Sequence, residues 1–155
     1  MCPIARAGLL VLSLTGIPPL PNVVVAQQPV PAVASEEDAR LVAKLVRSTL
    51  LALHHANVTG NFSVLRDLGS PSFRQRNNPG ALYESFGAIR GLGIQFDDIA
   101  VLQPVFAQAP TIEGGKYLRV SGSFPTKPKA VTFELLFELV DRVWLIVGLS
   151  VWPSE

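Results

Sequence analysis

Residues 130–152 read Ala-Val-Thr-Phe-Glu-Leu-Leu-Phe-Glu-Leu-Val-Asp-Arg-Val-Trp-Leu-Ile-Val-Gly-Leu-Ser-Val-Trp. Val131, Phe133, Leu135, Phe137 and Leu139 alternate with Thr132, Glu134, Leu136 and Glu138, the two-residue period of a strand with one face on a core. Asp141-Arg142 interrupts the run and apolar residues resume at Val143, so the stretch predicts a hairpin of two long strands, 130–140 and 143–152. The apolar set must face inward, which turns Glu134 and Glu138 to solvent. Strict alternation in the last strand puts Trp144, Ile146, Gly148, Ser150 and Trp152 on one face, and Val143, Leu145, Val147, Leu149 and Val151 on the other. Neither face carries a titratable group.

Working upstream, the same period predicts strands at 116–124 and 98–108, with Gly114-Gly115 turning between them and Pro125 to Lys129 leading into strand 130–140. Leu118, Val120 and Phe124 make the better core face of strand 116–124; the reverse orientation would turn Tyr117 and Arg119 inward as an anion-binding pair. Four consecutive strands joined by short turns form an antiparallel meander.

Before Gly93 the period is that of helices. Ser35 is placed to cap a helix, with Asp38 completing a capping-box-like pattern and Glu36 and Glu37 complementing the dipole. Leu41, Val42, Leu45, Val46, Thr49, Leu50 and Leu53 then recur at three- and four-residue spacing to about Ala56. A short helix follows over 62–69, another turn over 72–77, and a third helix over 79–90 opened by Pro79 and closed by Gly91. Three helices followed by a four-stranded meander predict an α+β fold, the helices packed on a curved sheet.

The N-terminus reads as an export signal. Arg6 precedes the apolar run Ala7 to Leu14, which is shorter than the roughly 20 residues a membrane span needs, and Val24-Val25-Ala26 offers a small-residue cleavage site. Cleavage after Ala26 is expected, with Ala34 as the second choice. Residues 1–26 are then a cleavable signal peptide, 27–34 a Pro-rich linker without fixed structure, and 35–155 the folded domain. Cys2 is the sole cysteine and leaves with the signal, and losing Arg6 brings the formal charge from +1 to balance. A cysteine-free exported domain held by its core points to a bacterial periplasmic or secreted protein. Balanced charge gives no footprint for nucleic acid or an anionic membrane.

The order of elements, the stretch from Asn61 to Arg74, and the closing pair of Thr132 to Leu139 with Val143 to Leu149 together resemble the NTF2-like superfamily, an α+β cone. The resemblance covers roughly residues 36–152 and implies a cone-shaped α+β fold. That superfamily includes isomerases, dehydratases and transport factors, so the resemblance implies no single activity.

The predicted interior is apolar, and Phe133, Phe137 and Leu149 of the sheet with Tyr83 and Phe86 of the helices are the candidate ligand contacts. The reading is a non-enzymatic exported module binding an apolar small ligand or a protein. The competing reading is an isomerase or lyase with His54 or His55 as general base. Those adjacent imidazoles point about 100° apart on a helix and cannot chelate one metal, and no ligand spacing for a metal or cofactor accompanies them. Arg66, Arg74, Arg76 and Arg90 form either a solvated face or, with Asn77 and Asn78, an anion-binding rim. Leu136, Trp144, Ile146 and Trp152 make an apolar outer sheet face, the expected interface of a homodimer.

Overall fold

The computed structural model describes residues 30–154; the expected signal peptide and residues 27–29 of the linker lie outside them. The fold is α+β, helices packed on an antiparallel sheet. Helix α1 spans Glu36–Thr59, longer than its apolar period required, because Gly60 adopts the left-handed conformation that ends it. At its start Ser35 accepts from the Asp38 amide at 3.1 Å, and the Asp38 carboxylate accepts from the Ala34 amide at 3.2 Å. The Ser35 hydroxyl, donating at 2.8 Å, is the main reason the Asp38 carboxyl titrates below its ordinary value. Val42, Val46, Leu50, Leu53 and Ala56 form the buried stripe.

Four shorter helices follow where three-helix periodicity left room for two and a turn: α2 Ser63–Asp67, α3 Pro71–Arg76, α4 Pro79–Ser85 and α5 Gly87–Arg90. The helix expected over 79–90 breaks at Phe86, whose ψ of 11° leaves the helical region before Gly87 restarts the turn. Ser70 caps α3 and Asn78 caps α4 through their side-chain oxygens, each followed by proline at a position that needs no N–H.

The strands are β1 Val30–Pro31, β2 Val105–Phe106, β3 Thr111–Glu113, β4 Tyr117–Phe124, β5 Ala130–Val140 and β6 Val143–Ser154. Their order is β1-β3-β4-β5-β6, with β2 also on β4, and every pairing is antiparallel. Of the expected strand over 98–108 only β2, Val105–Phe106, forms. Phe96 and Ile99 are buried at a three-residue spacing, which winds Phe96–Ala100 into a 3-10 turn, and Pro104 has no N–H for a ladder. The strand that meets β4 across Gly114-Gly115 is β3 instead. Val30–Pro31 pairs with β3, so the linker is ordered at that point.

Gly122 lets β2 approach β4. A β-carbon there would lie 2.5 Å from the Val105 carbonyl oxygen and 3.1 Å from the Phe133 ring.

The closing hairpin forms as expected, with Asp141 and Arg142 both at positive φ. One correction concerns its phase. Phe137 pairs with Ile146 and Leu136 with Gly148, leaving Val147 without a partner. This bulge reverses the alternation of β6, so Ile146 is buried at 2% exposure and Trp144 packs against the core instead of facing outward. The outer apolar set changes accordingly: Trp144 and Ile146 leave it, Val143 and Leu145 take their phase, and Leu136 and the exposed Trp152 stay. β4 alternates as expected: Leu118, Val120 and Phe124 are buried, while Arg119 lies outside between Glu113 at 2.9 Å and Glu134 at 2.8 Å.

Candidate functional site beside strand β6

The five candidate ligand contacts do not share one cavity. Phe133 and Phe137 are wholly buried, Phe133 packing on Phe124 with ring centroids 5.7 Å apart. They belong to the core cluster that also holds the buried stripe of α1. Tyr83 is half exposed, edge-on to Phe62 and beneath the Arg90 guanidinium, 3.7 Å from its ring centroid. Phe86 and Leu149 do meet, across an open groove.

That groove runs between α4–α5 and the last half of β6. Ser85, Phe86, Ala88 and Ile89 form one wall, Leu149 to Pro153 the other, around a volume of ≈ 360 Å³. Phe86 is fixed from behind by stacking on Phe62 at 6.3 Å, and Arg90 ties α5 back by donating to the Tyr83 carbonyl. No lining residue is charged. Comparisons with protein-family models, with curated proteins and with solved structures find no match to this chain. The chemistry must therefore be read from the groove itself.

The β6 wall is a sheet edge. Ile146 directs its N–H to the Leu68 carbonyl at 3.2 Å and accepts from the Ser70 amide at 2.8 Å, so its backbone groups point away from β5. Beyond that contact, among the described residues, no backbone hydrogen bond joins residues 147–154 to anything other than β5. Hydrogen bonding alternates along an antiparallel pair. With Ile146 directed outward and Val147 skipped, Gly148 and Ser150 bond to β5, and Leu149 and Val151 present their N–H and C=O groups to the groove. Pro153 falls in the same outward phase, where its missing N–H breaks no ladder bond. The groove thus offers two unpaired peptide units at the edge of an apolar trough.

The other clefts differ in character. One of ≈ 660 Å³ is lined by Arg76, Lys116, Tyr117, Glu138 and Asp141 among others. Lys116 and Glu138 pair there at 2.6 Å, and that carboxylate holds the Lys116 ammonium above its ordinary pKa. The two imidazoles part company: His55 lines a trough of ≈ 430 Å³ along α1 and α2, while His54 stacks on Phe96 and lines a separate cleft of ≈ 220 Å³ with Asn57 and Arg90. The middle arginines do not converge. Arg66 pairs with Asp67 at 2.7 Å and Arg74 donates to the Gly69 carbonyl at 3.2 Å.

Among the described residues no cluster of three or more His, Cys, Asp or Glu side chains could hold a metal ion. No described helix is long and apolar enough to cross a membrane.

Sequence reasoning named Phe86, Leu149 and Trp152 but assigned them to two different surfaces. It missed Ser85, Ala88, Ile89, Ser150, Val151 and Pro153. The one available signal was that residues 143–154 contain no charge over the longest strand of the sheet.

Proposed function

We propose that this chain is an exported, non-enzymatic binding domain that takes an extended, uncharged polypeptide segment along β6. The observation that carries the reading is the combination of an uncharged apolar trough with the unpaired backbone of Leu149 and Val151 on one side of it. Strand addition of this kind draws affinity from main-chain hydrogen bonds and selectivity from the pockets that receive alternate side chains. An apolar segment satisfies the trough at no desolvation cost for charge, whereas a buried, unpaired charge in it is strongly disfavoured. Burial of Phe133 and Phe137 favours a protein segment at the rim over a small ligand in the interior.

Export and membership of the NTF2-like superfamily belong to the same proposal. They are supported by the apolar run of residues 7–14 and by the succession of helices followed by an antiparallel meander. The test is fluorescence anisotropy with a labelled peptide carrying residues 147–153. Binding weakened at least tenfold by Ala88→Glu, an exposed position on the trough wall, is the expected result. No binding by the monomeric chain, or binding indifferent to that charge, contradicts the proposal.

A further inference from the structure

Sheet edges in native proteins are ordinarily defended by charge, proline or cover, because a bare edge recruits another strand. On β6 the contact with Leu68–Ser70 covers Ile146, the bulge falls at Val147, and Pro153 closes the far end. Between these defences lies the undefended strip Gly148-Leu149-Ser150-Val151-Trp152.

That strip is self-complementary. Antiparallel pairing of two such strips about a twofold axis through Ser150 sets Leu149 against the second copy's Val151. Those are the residues whose backbone groups point outward, so each exchanges N–H and C=O with its counterpart. The same register sets Gly148 against the second copy's Trp152. Gly148 leaves the outer face bare, and Trp152 is 43% exposed, so an indole lies over each glycine. Ser150 is exposed and meets its own copy on the axis, where any charge would meet itself at close range. No residue of Val143–Ser154 is charged. On the core side, Leu149 and Val151 of both copies meet over the trough bounded by Phe86 and Ile89.

We propose that the segment bound along β6 is the β6 of a second copy, joining two sheets into one across a twofold axis at Ser150. This rests on the reading of the trough as a strand-binding site and names its occupant. It moves the homodimer interface from the outer sheet face to the sheet edge.

The test is a disulfide trap in the full-length chain with Cys2→Ser, which removes the sole native cysteine. Directly opposed residues in a non-hydrogen-bonded antiparallel pair have Cα atoms about 4.5 Å apart, inside the disulfide range of about 4.4 to 6.8 Å. Ser150→Cys is expected to give a covalent dimer, at least tenfold more than Thr132→Cys on the outer face of β5. The unsubstituted chain is expected to sediment as a dimer. A dimer that Ser150→Cys fails to trap, or traps no better than Thr132→Cys, overturns the proposed axis. A chain that stays monomeric yet binds the labelled 147–153 peptide overturns the second copy as occupant while leaving the strand-binding trough intact. A monomer that binds no peptide overturns both.

Discussion

Ile146 lies opposite Phe137 in the β5–β6 ladder and shares its burial, at 2% and 1% exposure, although the plain alternation of β6 assigns Ile146 to solvent. The unmatched Val147 reconciles the two. Without it, either Ile146 and Trp144 or Leu149 and Val151 would leave the core, since a one-residue slip turns every side chain to the other face. Ile146→Ala is therefore expected to lower stability by about 2–5 kcal/mol, and Leu145→Ala, on the outer face, by far less. Urea denaturation of the two variants measures this; equal losses would contradict the bulge.

Phe133 and Phe137 behave as core. Alanine at either position is expected to cost about 3–5 kcal/mol in unfolding free energy, through lost transfer energy and the cavity left behind. Calorimetry or denaturant unfolding reads this directly. Near-zero loss at Phe133 would mean that its ring faces an open chamber.

The Ser35–Asp38 cap makes stability acid-sensitive. A carboxyl whose pKa is depressed in the folded state contributes stability that is present above its unfolded pKa and lost as pH falls through the folded one. The native chain is thus expected to lose more stability than Asp38→Asn on going from pH 5 to pH values below the ordinary 3.8 of this group. Removing the cap hydroxyl with Ser35→Ala is expected to cost about 1 kcal/mol at neutral pH. Parallel slopes for native chain and Asp38→Asn in thermal melts across that range would rule the cap out as the source.

The two histidines separate by packing. His54→Ala loses the stacked contact with Phe96 and is expected to destabilise the fold by about 1 kcal/mol, while His55→Ala, at an exposed position, should change stability by less than about 0.5 kcal/mol. Thermal melts of the two variants compare them, and the reverse order would contradict the packing at the end of α1.

Much of the fold was legible in local pattern. The helix start at Ser35, the stripe from Val42 to Leu53, and strands β4, β5 and β6 follow from capping chemistry and apolar period. The misses share a cause, which is pairing between distant residues. Val30–Pro31 becomes a strand only because β3 lies beside it, and nothing local marks that. Residues 96–100 alternate poorly enough for either period, and burial of Phe96 and Ile99 against α1 decides for the turn. The bulge at Val147 leaves no trace in a run that is apolar on both phases. The groove was illegible for the same reason: its walls, α4–α5 and β6, lie some sixty residues apart in the chain.

Amide hydrogen exchange at Leu149 and Val151, followed by NMR over a range of protein concentrations, tests the edge most directly. Gly148 and Ser150 should be protected at every concentration through their bonds to β5. Leu149 and Val151 should exchange fast when dilute and become protected together as concentration rises. Fast exchange at both residues at all concentrations, while the protein remains folded, would contradict strand pairing along β6.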